Sequence, residues 1–77
     1  MVSAFVLIQT EMDKAGEVAA QIASMDGVVL ADVVTGPYDV IAKAEADDMD
    51  QLGKLVMSRM QMIQGITRTL TSPVVNL

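Results

Sequence analysis

Seventy-seven residues leave room for one small domain, and the absence of cysteine and histidine excludes disulfides, thiolate chemistry, iron–sulfur clusters and nearly every zinc site. Ten acidic against five basic residues give a net charge of −5, and the basic residues Lys14, Lys43, Lys54, Arg59 and Arg68 are scattered. Phosphate neutralisation needs clustered cations and base stacking needs flat rings, so one Phe, one Tyr and no Trp on this acidic chain argue against direct nucleic-acid binding.

Val2 to Gln9 is β-branched and aromatic, with apolar side chains at both parities. A strand wet on one face alternates, so this pattern predicts a first strand covered on both faces. Asp13 is placed to cap a helix whose apolar positions Ala15, Val18, Ala19, Ile22 and Met25 follow helical spacing, with Gly27 as its C-terminal stop. Val28 to Thr35 reads as a second strand, ended by the turn signal Gly36-Pro37-Tyr38-Asp39. The third strand, from Asp39 or Val40 to about Ala46, alternates, with Val40, Ala42 and Ala44 on one side and Ile41, Lys43 and Glu45 on the other.

Asp48-Met49-Asp50-Gln51 resembles a capping box and opens a second helix, reaching about Met62, with the stripe Leu52, Leu55, Val56, Met60, Ile63. Gly65 closes it. Ile66 to Thr71 forms the fourth strand, Pro73 belongs at an edge or past the strand end, and Val74 to Leu77 is an apolar tail.

A shift of 38 residues aligns Val2 with Val40, Ala4 with Ala42, Gly27 with Gly65 and Val28 with Ile66, so each half is βαβ. Joined by a short turn, the halves predict an α+β, ferredoxin-like β-α-β-β-α-β sandwich, its antiparallel sheet carrying both helices on one face. The other face then needs a cover. A chain of this mass has a folded surface of roughly 4,500 Å² and hides only ~62% of its unfolded surface. Yet 52% of its residues are hydrophobic and its mean hydropathy is +0.44. Phe5, Leu7, Val29 and Val33, or their opposite-parity neighbours, are expected to point away from the helices, and two subunits are expected to stack these faces.

No apolar run reaches the ~18 residues of a membrane span, and Met1-Val2-Ser3-Ala4-Phe5 lacks the basic start of a signal peptide. A soluble, cytoplasmic protein with no membrane partner is expected.

Candidate chemistry is sparse. Without His or Cys, acid–base groups are limited to carboxylates, three lysines and Tyr38, and most carboxylates fall at caps or on polar helix faces. Asp47, Asp48 and Asp50 suit a helix N-terminus better than a metal. Met49, Met57, Met60 and Met62 read as filling for a core or interface. No catalytic residue, cofactor or metal site is assigned. The most informative segment is Val34 to Asp39, where Gly36 permits close backbone approach, Tyr38 offers a ring with a hydroxyl, and Asp39 can accept hydrogen bonds or pair with an ammonium. Composition alone favours an ordinary hairpin turn there. Thr67, Thr69 and Thr71 place three hydroxyls on one face of the fourth strand, which β-propensity explains equally well.

Val34-Thr35-Gly36-x-Tyr38-Asp39, an alanine- and valine-rich strand, then a helix ending in Gly65-Ile66-x-x-Thr69-x-Thr71 together resemble the ligand-sensing (RAM) domain of the Lrp/AsnC regulators, over essentially all 77 residues. With no helix-turn-helix segment ahead of the first strand, the chain looks like a stand-alone form. The resemblance implies a dimer with sheets face to face, rings of four or five dimers (an octamer or decamer), and amino-acid effectors bound between dimers. It also implies a ligand site of Thr35, Gly36, Tyr38 and Asp39 meeting Thr69 and Thr71 of a neighbouring chain. Pro37 departs from the polar residue expected at that turn and removes one N–H donor. The expected function is a non-enzymatic amino-acid-sensing homo-oligomer that modulates transcription of amino-acid metabolism, through assembly or through a full-length Lrp/AsnC-type regulator as partner. The alternative is a small dimeric α+β barrel enzyme, of the cofactor-free oxygenase or isomerase kind.

Overall fold

The computed structural model describes residues 1–76. Its elements, in order, are β1 (Val2–Thr10), α1 (Ala15–Ala23), β2 (Val28–Val33), β3 (Val40–Ala46), α2 (Met49–Lys54) and β4 (Ile66–Pro73). Beyond Lys54 the second helix runs on as a π-helical turn, Leu55–Arg59, and a 3₁₀ turn, Met60–Met62. The strands form one antiparallel sheet in the order β2-β3-β1-β4, which is the ferredoxin-like topology.

The core lies between one sheet face and the helices. Ala4, Val6 and Ile8 of β1 and Val40, Ala42 and Ala44 of β3 are fully buried, as strand alternation requires for one covered face. Val18, Ala19 and Ile22 of α1 close over them, together with Leu52, Leu55, Val56, Met60 and Ile63 of the second helix. The small alanines let the helices approach the sheet closely.

The second helix starts as expected, with the Gln51 N–H donating to Asp48 Oδ1 at 2.8 Å. The first does not. Asp13 adopts φ +65 in a tight turn closed by the Lys14 N–H donating to the Glu11 carbonyl, and α1 begins without a side-chain cap. The reason is that the Glu11 N–H is held by the Gly65 carbonyl at 2.7 Å, so the chain leaves β1 through an immediate turn whose left-handed position Asp tolerates. Gly27 is likewise not the helix stop. α1 ends at Ala23, and Gly27, at φ +93, accepts a hydrogen bond from the Glu45 N–H at 2.7 Å where β2 meets the end of β3. Its counterpart Gly65 takes φ +100, so the two half-repeats share this backbone feature.

β1 is covered on one face only within this chain. The opposite face presents Phe5, Leu7, Leu30, Ile41 and Leu70, with Phe5, Leu30 and Leu70 exposed by 39%, 38% and 46%. Val33 does not join this set; on β2 its opposite-parity neighbour Leu30 does, and Val29, at the irregularity, has no partner in the β2–β3 pairing. A register shift between Val28 and Leu30 moves the parity of β2, so that Val33 pairs with buried Val40 on the helix side and Leu30 pairs with Lys43 on the open side. Pro73 ends β4, an edge strand where its missing donor is harmless. Val74 extends the pairing through its N–H to the Ser3 carbonyl, and Leu77 of the apolar tail lies outside the described residues. Of the methionines on the second helix only Met60 fills the core; Met49, Met57 and Met62 are exposed. No helix among the described residues is long and apolar enough to cross a membrane.

Candidate functional site

The Val34–Asp39 loop joins the two central half-repeats and is pinned at both ends. The Val34 N–H donates to the Asp39 carbonyl at 2.9 Å, and the Asp39 N–H donates to the Ile8 carbonyl at 2.8 Å. Asp39 Oδ2 accepts the Thr10 N–H at 2.8 Å, and Gln9 Nε2 donates to the Pro37 carbonyl at 2.9 Å. The loop is therefore bolted to the end of β1, where β1 also shifts register against β4 between Gln9 and Thr10. On its other side β1 pairs with β3 only as far as Ile8 opposite Val40, so the Thr10 N–H, which points to that side, lies past the ladder and the Asp39 carboxylate satisfies it.

Such anchoring leaves a preorganised, outward-facing surface. Thr35, Gly36 and Pro37 are exposed, while Tyr38 and Asp39 are half-buried. Gly36 has φ +145, and a Cβ there would meet nothing within 4 Å, so the glycine answers a backbone requirement and not a crowded one. Asp39 Oδ1 has no partner among the described residues, which leaves one carboxylate oxygen for an incoming donor. Gln9 and Thr10, which hold the loop, were not singled out from the sequence; the polar pair ending an otherwise apolar strand is the signal that marks them.

Thr69 and Thr71 sit opposite Ile8 and Val6 in the β1–β4 pairing, so their hydroxyls lie on the helix side of the free edge of the sheet. Thr69 Oγ1 accepts a hydrogen bond from Gln61 Nε2 at 2.9 Å, and Thr71 is exposed. Gln61, Thr67 and Thr69 line a shallow hollow of about 310 Å³. The loop and the threonine row thus flank the same end of β1 on opposite sides, with no hydrogen bond joining them among the described residues.

The sequence profile of the Lrp/AsnC ligand binding domain matches residues 3–76. An uncharacterized HTH-type transcriptional regulator of Pyrococcus furiosus is 36% identical over 72 residues, a match that takes in 90% of this chain and 48% of the relative. A Pyrococcus horikoshii regulator of the same description is 33% identical, with the same coverage. The chain therefore spans about half the length of the curated relatives it matches. Among solved structures, a Thermus thermophilus protein superposes with a TM-score of 0.93 at 30% identity, covering 100% of this chain and 96% of that one. Escherichia coli AsnC superposes at 0.90 with 26% identity, covering 99% of this chain and 52% of that one. Loop, strand order and profile agree, and the chain belongs to the family of Lrp/AsnC ligand binding domains, whose relatives are transcriptional regulators.

Proposed function

We propose that this protein is a non-enzymatic sensor of a free amino acid, which binds at the Val34–Asp39 loop and acts on transcriptional regulation through assembly of copies of the chain. The observation that carries the reading is the anchored loop with one unengaged Asp39 oxygen beside the exposed Gly36 backbone. A zwitterion needs an acceptor for its ammonium, which Asp39 Oδ1 supplies, and donors for its carboxylate, which backbone N–H groups near Gly36 and threonine hydroxyls supply. Thr69 and Thr71 of a neighbouring copy complete the site, since within one chain they lie across β1 from the loop.

Assembly begins with the open face of the sheet. Phe5, Leu7, Leu30, Ile41 and Leu70 form an apolar patch of the kind that packs against its own copy about a two-fold axis. The isolated chain exposes 4920 Å², above the roughly 4,500 Å² of a self-contained monomer of this mass. Dimers joined through the loop and threonine row give a closed ring. A ligand bound at that junction shifts assembly by its difference in affinity for the two states. The amino-acid class also accords with a Neisseria meningitidis transcriptional regulator of the same fold, solved as its complex with L-Met, at a TM-score of 0.84 and 22% identity over 97% of this chain and 50% of that one.

The test is calorimetry with the free amino acids on the unaltered chain and on one variant. Asp39→Asn keeps an oxygen for the Thr10 N–H and removes the charge, so the fold persists while affinity falls about tenfold, the order expected for one lost charge-assisted hydrogen bond. Unchanged affinity in Asp39→Asn removes Asp39 from the ammonium site. Absence of binding by every amino acid at millimolar concentration overturns the sensor reading.

A further inference from the structure

The open face of the sheet is apolar along its middle and carries opposite charges at its two edges. Asp32 of β2, Ile41 of β3, Leu7 of β1 and Leu70 of β4 form one row across it, each opposite the next in the strand pairing. Leu30, Lys43, Phe5 and Ser72 form the adjoining row. Arg68 lies one same-side step beyond Leu70, opposite Gln9, and Glu45 lies one beyond Lys43, opposite Ser3. β2 and β4 are the outer strands, so Asp32 stands at one edge and Arg68 at the other.

The acidic pair Asp32 and Glu45 balances the basic pair Lys43 and Arg68 on this face, in a chain whose net charge is −5. The charges do not pair within the chain. Among the described residues the one ion pair is Lys14–Glu17, away from this face. Asp32 and Arg68 are held apart by the sheet itself, since three strand spacings separate β2 from β4, about 14 Å.

A second copy on this face brings them together in one arrangement and not in the other. In aligned packing, sheets stack about 10 Å apart, and a two-fold axis in the plane of contact runs either across the strands or along them. With the two apolar rows superposed, an axis across the strands lays β2 on β2. Each Asp32 then stands one same-side step, about 7 Å, from the Asp32 of the second copy, a like charge. An axis along the strands lays β2 of one copy on β4 of the other and β3 on β1. Each Asp32 now stands the same step from an Arg68 of the second copy, at both edges by symmetry. Lys43, already 5.6 Å from the ring centre of its own Phe5, comes to face the second copy's Phe5 as well.

We infer that Asp32 and Arg68 form reciprocal ion pairs between two copies of the chain, joined about a two-fold axis that runs along the strands. The inference rests on the reading of this face as the contact between copies, and adds its orientation and its selectivity. Apolar packing is indifferent to which strand lies on which, whereas opposite charges at opposite edges reject the other orientation and reject chains without the matching edges.

The experiment is analytical ultracentrifugation and native mass spectrometry of the full chain, with Asp32→Arg and Arg68→Asp prepared separately. Both positions are exposed, so each variant should keep the circular dichroism of the unaltered chain. Alone, each variant sets like charges against each other at both edges and should self-associate at least about tenfold more weakly. An equimolar mixture should regain the mass of the unaltered assembly as mixed pairs, because the new arginine meets the new aspartate at one edge and the native pair forms at the other. Variants that each self-associate like the unaltered chain, or a mixture that stays dissociated, overturn the ion pairs. Phe5→Asp, run alongside, separates this failure from failure of the face: if it dissociates while both charge variants stay assembled, the face stands and the pairs fall. A Phe5→Asp chain that stays assembled, or an unaltered chain that sediments as a monomer, overturns both.

Discussion

Gly27 and Gly53 differ in what their missing side chain does. Gly27 holds φ +93, and a Cβ would lie 3.0 Å from both the Glu45 carbonyl oxygen and Leu55 Cδ2, one of them immovable backbone. Gly27→Ala therefore combines about 1–2 kcal/mol of left-handed backbone strain with a steric shift, and its denaturation midpoint should fall clearly. Gly53 sits inside α2, where an added methyl would meet nothing within 4 Å, so Gly53→Ala should raise stability by about 0.5–1 kcal/mol. Urea titrations of both variants at one fixed protein concentration check the opposite signs, and a common sign would refute the account of Gly27. Asp39 is the residue whose role changed most between sequence and structure. Its charge and position in a turn were legible, but its bond to the Thr10 N–H was not, because that contact spans 29 positions and depends on where the β1–β3 ladder ends, at Ile8 opposite Val40.

The second helix shows how a regular pattern hides an irregular element. Its apolar stripe was readable at helical spacing and every member is buried, yet the backbone passes through α, π and 3₁₀ turns along the way. Apolar spacing reports which face is buried and is insensitive to local winding. Its exposed methionines show the converse, since a flexible apolar side chain carries no statement of which way it points. α1 is simpler: Val18 and Ile22 are fully buried against the sheet, and Ile22 is among the largest side chains to be so. Ile22→Ala should cost about 2–5 kcal/mol by lost transfer energy and cavity formation, a large part of the ~5–15 kcal/mol that holds a small domain. Thermal unfolding followed by circular dichroism measures it, and a loss below about 1 kcal/mol would mean that the helix layer repacks freely.

For the whole molecule, the decisive feature is the uncovered sheet face. Phe5 lies within it, exposed by 39%, with Lys43 Nζ 5.6 Å from its ring centre. Phe5→Asp should leave the helix–sheet core intact, because Phe5 takes no part in it, while placing a carboxylate in the proposed dimer contact. Analytical ultracentrifugation should then find folded monomers where the unaltered chain sediments as a larger species; the same mass for both would exclude this face as the interface. Taken alone, the sequence determined the ferredoxin-like order of elements, the alternation of β3, the stripe of the second helix, and the presence of more apolar surface than one chain hides. Those properties follow from local periodicity and composition, which any stretch of chain carries with it. The tertiary structure decided which face of β1 is buried, the parity of β2 through the shift at Val29, and the anchoring of the loop by Gln9 and Thr10. Each of these depends on residues far apart in sequence being brought together, and a one-residue change of register is enough to alter it.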